Sequence, residues 1–381
     1  MKILVIGCYY SLNLGDGVIC DCAAAMLRRH FPMAQVVIRD IGGHTAFPER
    51  SSVPHSQLFL RRGKQLLRIG ATRMGWNRQL RHVLRNLEPV MPALERLGSE
   101  ECDLVVFAGG QLWMDSLALY VQTLVDRFAA RKIPVFFNAC GTGPSWSREV
   151  RQRLAQARNC PAERNVSCRD NTALVNTWCG RDAAVPAADP ALWADQVYGI
   201  PKDPGAAAVG LGIMWAGSMP LAASFAFWRR LIRRMEREHI PWKLFTNGSE
   251  WDMAFARLVL RSLPELKGPE EAYLCPAPKS PEKLVGLIAG FRSLISFRLH
   301  SHIIACSLDI PTVGLVWDDK LRFFFEKIGR PERCLSVHAT PGQVLRALKQ
   351  AEQIRCDREA ICAQREASAR QLLDALEPYI Q

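Results

Sequence analysis

The chain lacks an apolar stretch long enough to cross a bilayer or to form the core of an export signal, because Ser11, Asn13 and Asp16 interrupt the run that opens it. No spanning or leader segment is therefore expected. It lacks any C-x-x-C pair, although 13 cysteines are scattered over its 381 residues. An odd, unpatterned set argues against a disulfide framework and fits thiols kept reduced in a cytosol. Cys20 and Cys22 flank Asp21 in a helical pattern whose nearest histidine, His30, lies at its far end, so no metal site is expected. Neither G-x-G-x-x-G nor G-x-x-x-x-G-K-[ST] occurs, which argues against a dinucleotide or P-loop site, and no repeat of solenoid length is visible. Between Arg50 and Glu88 there is no acidic residue at all.

What is present describes a compact protein. Apolar residues make up 49% and charged residues 23%, and the length fits two domains of roughly 150–200 residues. A net charge of +12 favours anionic company: nucleic acid, phospholipid, or phosphorylated and carboxylated substrates. From Arg61 to Arg85, eight lysines and arginines alternate with leucine, isoleucine and tryptophan. That stretch reads either as an amphipathic surface for an anionic membrane or as a solvated helical face. No nucleic-acid motif accompanies the charge, so no nucleic-acid partner is expected.

The N-terminal half alternates strand and helix periods. "KILVIG", a helix over 18–30 and "AQVVIRDI" form a β-α-β unit. "CDLVVFAGG" is a buried strand ending in a glycine pair; a helix follows through Asp126, then the strand "IPVFFNACGTGP", and "RNVSCRD" and "AAVPAADPAL" give two more. The segment Asp195–Ala207 is polar and contains proline and glycine, as a linker would. A second α/β set follows: "AVGLGIMWA", the helix "FAFWRRLIRRMEREH", "PWKLFTNG", a helix capped at Ser280 or Pro281, "RSLISF", "RLHSHIIACSLD", "IPTVGLVW" and the turn "DDK". The expected organisation is an N-terminal Rossmann-like domain, 1–195, with a basic insertion at 45–90. A linker at 196–206, a C-terminal Rossmann-like domain at 207–340 and a helical tail at 341–381 packing across both complete it. The fold class is α/β, two such domains facing a cleft, with ligands at the carboxyl ends of parallel strands.

Chemistry concentrates at those ends. After the first strand, Asn13 and Asp16 are placed to orient a hydroxyl and accept its proton, or Asp16 merely caps the following helix. Arg298 and His300 begin an apolar helix, whose amides and dipole favour an anion. Arginine offers a planar fork for carboxylate or phosphate, and a bound anion would hold the neighbouring imidazole protonated. Lys320 ends the adjacent strand at the same edge. His302 faces elsewhere and reads as structural. Arg169-Asp170 either crosses the cleft to the same anion or forms a surface ion pair. The glycines at 109–110 and 141–143 allow close backbone approach, while His30, His44 and His338 show no partner pattern.

Taken in order, "GCYYSLNLGD", "DLVVFAGGQLWMD", "CGTGP", "VSCRD", "ADPAL" and "RLHSHIIACSLDIPTVGLVWDDK" resemble the motifs of the polysaccharide pyruvyl transferases over nearly the whole chain. The resemblance implies a fold like that of the B-type glycosyltransferases (GT-B) and phosphoenolpyruvate as donor. It implies transfer of a pyruvyl group to two hydroxyls of a sugar in a bacterial surface polysaccharide or its lipid-linked precursor, giving a cyclic ketal and phosphate, with no cofactor. By the same carry-over, Arg169, Arg298, Leu299 and Lys320 hold the donor and His300 is the acid that protonates its methylene carbon. Asp16 is catalytic on the acceptor side, where Asn13, Gly15, Gly109 and Gly110 form the lip. Three departures stand out: "RDNTAL" lacks the family's serine, Trp317 is the aromatic before the D-x-K turn, and the 45–90 region is long and basic. The last points to the inner face of the cytoplasmic membrane. Two other readings stay open. One is a GT-B glycosyltransferase using a sugar nucleotide, for which Glu282 is the candidate ribose-binding acid. The other is a non-catalytic anion binder of a glycan assembly complex.

Overall fold

The computed structural model describes residues 1–49, 53–58, 60, 61, 63, 64, 67, 85, 87–143, 145, 147–215, 221–336 and 338–380. Its strands are mostly apolar and buried without alternation, as strands covered on both faces must be. The first sheet is built from β1 (Lys2–Gly7), β2 (Gln35–Asp40), β3 (Leu104–Phe107), β5 (Val135–Phe137), β7 (Glu163–Cys168) and β8 (Ala184–Pro186). They run parallel in the order β2-β1-β3-β5-β7-β8, with Ile3 paired to both Val36 and Leu104. Two short strands, β4 (Gly110–Trp113) and β6 (Cys140–Thr142), pair separately just beyond β3 and β5.

The second sheet holds β9 (Val209–Gly212), β10 (Trp242–Phe245), β11 (Ser293–Ser296), β12 (Thr312–Val316) and β13 (Cys334–Ser336), parallel in the order β10-β9-β11-β12-β13. Both sheets reverse their winding beside the first strand, between β1 and β3 and between β9 and β11. Such a reversal leaves a crevice at the carboxyl ends of the strands, the usual ligand position in this architecture.

The crevices are held face to face. One apolar cluster runs from Ile3, Leu14 and Ile19 through Leu284, Ile303 and Phe325 to Leu372 and Leu376, joining residues of both sheets' layers. A large apolar contact of this kind fixes the relative position of two domains. Of the tail, the Pro341–Gln353 helix buries Val344, Leu345 and Leu348 in the core around the second sheet. The Arg358–Leu376 helix returns to the first half of the chain, where Arg365 donates to the Leu192 carbonyl and to Asp195.

Two boundaries differ from the sequence reading. The first helix spans Leu14–His30 and so begins at Leu14, four residues before 18. Gly15 and Gly17 depress its intrinsic propensity, but the Leu14 amide donates to the Asn247 carbonyl at 2.9 Å and the first turn packs on the other domain. The "DDK" turn is a helix start: Asp318 caps the Asp319–Lys327 helix by accepting the Lys320 amide. Among the described residues, no helix is long and apolar enough to cross a membrane. Of Arg61–Arg85, only Arg61, Gly63, Lys64, Leu67 and Arg85 fall among them, so the amphipathic surface expected there lies outside the described residues.

Candidate active site

The loop after β1 delivers Asn13 and Asp16 to the crevice. Asn13 is the N-cap of the first helix, yet its side chain makes no capping bond. Its amide donates instead to Asp16 Oδ2 at 3.2 Å, and its buried Oδ1 has no hydrogen-bond partner among the described residues. Asp16 therefore lies inside the first turn, where the helix dipole favours a carboxylate, and its Oδ1 is 3.8 Å from His300 Nδ1. Gly15 permits this approach: a Cβ there would lie 2.3 Å from the Cβ of His300.

Opposite, β11 leads into the Leu299–Ser307 helix. Arg298 is its N-cap and donates its own amide to Ser296 Oγ at 2.9 Å. Asp252, almost wholly buried, fixes the Arg298 guanidinium by accepting from Nη2 and, at 3.2 Å, from Nε. The other Asp252 oxygen accepts the Trp215 amide at 2.8 Å. A buried acid thus orients a cation that reaches the crevice. His302, by contrast, is pinned between Thr312 Oγ1 at 2.5 Å and the Ser296 carbonyl at 3.0 Å. It is a core histidine, as its spacing predicts.

Arg169 is neither at the surface nor paired only with Asp170. It is buried, its Nη1 bonds Asp189 and donates to His300 Nε2 at 3.1 Å, and Asp170 lies 3.8 Å from its Nε. Gly141 leaves it room, since a Cβ there would sit 2.7 Å from that Nε. From the far domain, Lys327 donates to the carbonyls of Arg169 at 2.7 Å and Ala187 at 3.0 Å, tying down the loop that carries the arginine. Lys320 Nζ donates to Gln111 Oε1 at 3.0 Å, lies 3.5 Å from Asp318 Oδ2, and stands 4.4 Å over the Trp317 ring.

These groups surround one cavity of about 140 Å³, lined by Asn13, Asp16, Arg169, Arg298, His300 and Lys320 with Leu299, Trp317, Gln111 and Met114 among their neighbours. Three cations and one carboxylate enclosed together set the protonation of the rest. Burial, with Arg169, Lys320 and Arg298 nearby, lowers His300 from 6.5 to about 3, against the pull of Asp16. An arginine can only donate, so His300 Nε2 accepts and the neutral ring carries its proton on Nδ1, toward Asp16. Burial likewise lowers Lys320 from 10.5 to about 8, opposed by Asp318.

Not every expected residue reaches the cavity. Gly15 lies against His300, and Gly109 and Gly110 (φ 126° and 81°) turn the chain from β3 into β4; none of the three lines the cavity. Glu282 is exposed in the first turn of the Pro281–Ala289 helix and is also outside it. Sequence reasoning assigned no role to Asp189, Asp252, Gln111 or Lys327. The "ADPAL" motif contained Asp189, but no spacing rule connects it to Arg169 or Asp252 to Arg298.

Two Rossmann-like domains with a cationic, acid-bearing cavity between their facing crevices define a two-domain enzyme of the GT-B type. The chain belongs to the polysaccharide pyruvyl transferase family, whose model matches residues 13–319, from Asn13 to the residue before Lys320. It is accordingly a pyruvyltransferase, and membership implies a sugar acceptor. Among solved structures it is similar to the UDP-GlcNAc 2-epimerase of Methanocaldococcus jannaschii, at TM-score 0.56 and 10% identity over 99% of both chains. It is also similar to MnaA of S. aureus, at 0.54 and 10% identity over 100% of this chain and 96% of that one. A putative UDP-N-acetylglucosamine 2-epimerase from Listeria monocytogenes gives 0.56 and 9% identity over 100% and 96%. At such identity these likenesses show the fold alone. Among curated protein sequences nothing matches the chain.

Proposed function

We propose that the enzyme takes its pyruvyl group from phosphoenolpyruvate and adds it to two hydroxyls of one sugar, forming a cyclic ketal and releasing phosphate. The observation that carries this reading is the convergence of Arg169, Arg298, Lys320 and His300 on one cavity of about 140 Å³. Sites for drug-sized ligands occupy about 300–1,000 Å³, so this space suits a three-carbon anion better than a sugar nucleotide. The acid nominated for a nucleotide's ribose, Glu282, stands outside it.

The chemistry follows from the charges. Three cations offset the donor's carboxylate and phosphate. The same anion, adjoining His300, favours its protonated form, which burial and the neighbouring cations disfavour. The imidazolium gives its proton to the methylene carbon, making a methyl group and leaving an oxocarbenium-like centre at C2. The first sugar hydroxyl adds there, and Asp16, 3.8 Å from the ring, takes its proton and returns it to the histidine. The second hydroxyl then displaces phosphate, which leaves with that hydroxyl's proton. Atoms and protons balance without a cofactor. A sugar of a capsule or exopolysaccharide, or its lipid-linked precursor met at the inner face of the cytoplasmic membrane, completes the reading. The test is phosphate release with phosphoenolpyruvate and a panel of glycosides. His300→Ala should lose about 10²–10⁴-fold in turnover while retaining part of its donor binding, and Arg298→Ala and Lys320→Ala should weaken donor binding. Normal turnover in the histidine variant would refute the acid assignment.

A further inference from the structure

Far from the cavity residues in sequence, five guanidiniums meet on the outer helices of the second domain. Arg230, Arg233, Arg234 and Arg237 fall at i, i+3, i+4 and i+7 on the Leu221–Arg237 helix and are all exposed. The helix's other face buries Phe227, Trp228, Leu231, Ile232 and Met235 in the core. Across from the stripe, the Pro341–Gln353 helix contributes Arg346, and the five line a groove of about 390 Å³. The two helices' cations approach each other beside Gly342, where a Cβ would lie 3.4 Å from Arg234 Nη1 and 3.6 Å from Arg346 Nη1.

Little inside the protein offsets this charge. Arg234 pairs with Glu238 and Arg233 with Glu265, each at 2.5 Å, but all four side chains are at least 40% exposed. Exposed pairs of this kind are weak and screened. Among the described residues, Arg230 and Arg346 have no acidic partner. Thr340 and Gln343 are already spent on each other in the capping box of the Pro341–Gln353 helix. The groove therefore offers fork-shaped donors and a helix's positive end, with no aromatic ring and no carboxylate to read a base or a sugar. Recognition by charge alone fits phosphate groups presented in number.

We propose that this groove seats the phosphate headgroups of an anionic lipid surface and docks the protein on a membrane. It uses no residue of the catalytic cavity and none of the Arg61–Arg85 stretch, so it stands apart from the donor assignment. Each arginine near an anionic surface strengthens binding about fivefold.

The test is sedimentation of the full chain with phosphatidylcholine vesicles and with mixed phosphatidylcholine and phosphatidylglycerol vesicles. Arg230→Gln combined with Arg346→Gln should weaken binding to the anionic vesicles about thirtyfold, from two charges at about five- to sixfold each. Its melting temperature, and its pyruvyl transfer to a soluble glycoside, should match the wild type. A second variant neutralising Arg61, Arg62, Lys64 and Arg68 controls for the basic stretch, and the thirtyfold loss should recur in that background. Equal vesicle binding by wild type and double variant would overturn the proposal, as would complete loss of wild-type binding in the control variant alone. Calorimetric binding of inorganic pyrophosphate that depends on Arg230 and Arg346, without vesicle binding, would overturn it in favour of a free phosphate ligand.

Discussion

Lys320→Arg separates charge from titration in the proposed donor cavity. Burial lowers the Lys320 amine from 10.5 to about 8, a change worth about 3 kcal/mol. If Lys320 holds the donor as proposed, only its ammonium attracts it, and kcat/KM reports the free enzyme, so efficiency should fall above about pH 8. At about pH 9 roughly one amine in ten stays charged, and the rate at limiting donor should drop about tenfold. Losing a buried charge contact altogether costs about 2–5 kcal/mol, so the alkaline limb should run for more than a decade before levelling. A guanidinium stays protonated throughout this range. The arginine variant should therefore be less efficient overall, because its larger planar head must fit a cavity of about 140 Å³, but should lack the limb. The assay is phosphate release at subsaturating donor across the alkaline range in both proteins. The same limb in both, or no limb in the wild type, would refute the reasoning. Stability gives an independent sign. The unfolded chain binds more protons than the folded one between about pH 8 and 10.5, so this group makes the donor-free protein more stable as pH rises through that window.

Gly15→Ala places a Cβ 2.3 Å from that of His300; overpacking of this kind costs about 1–3 kcal/mol, and thermal melts should show that loss together with reduced turnover. Wild-type turnover would mean that the two domains yield at this contact without consequence. His300 and His302 are lowered from 6.5 to about 3 and about 4, mainly by burial. Their stabilisation is complete above about pH 6.5 and is lost as pH falls toward those values, so the melting temperature should decline steadily on acidification, and an unchanged one would contradict the burial of two neutral imidazoles. Donor binding should take up close to one proton at neutral pH, because His300 begins neutral and the anion favours its charged form. Calorimetry in buffers of different ionisation enthalpy measures the uptake, and a value of zero would exclude His300 as the acid.

What was legible in the sequence was whatever depends on local periodicity. The short, largely apolar runs "KILVIG", "DLVVF" and "SLIS" appear as β1, β3 and β11, and the polar residues after them lie at the crevice as parallel α/β topology requires. The start of the first helix was not legible, because Leu14-Gly15-Asp16-Gly17 reads as a loop until its partners are known. Gly15 faces His300 and Gly17 faces Pro281, where a Cβ would lie 2.6 Å from Cγ. Arg169 stayed ambiguous because its partners, Asp189 and His300, are 20 and 131 residues away. Asp252 carried no reading in the sequence, because only the fold brings it, 46 residues away, to Arg298.

The cavity is built at a cost that the proposed anionic ligand would remove. Arg169, Arg298 and Lys320 surround a neutral histidine, and both His300 and Lys320 are held below their ordinary values. Asp189, Asp252 and Asp318 contact these cations on the sides where the structure needs them fixed. Removing one of those acids would therefore do two opposed things: it would strengthen the local positive potential and let the cation wander. For a small, multiply charged ligand, orientation decides the outcome, because an exposed extra charge gives a screened gain whereas a misplaced guanidinium forfeits charge-assisted hydrogen bonds. The apolar cluster that joins the domains serves the same end. Cations carried by both sheets can face one another across one cavity only if the walls that carry them do not move apart.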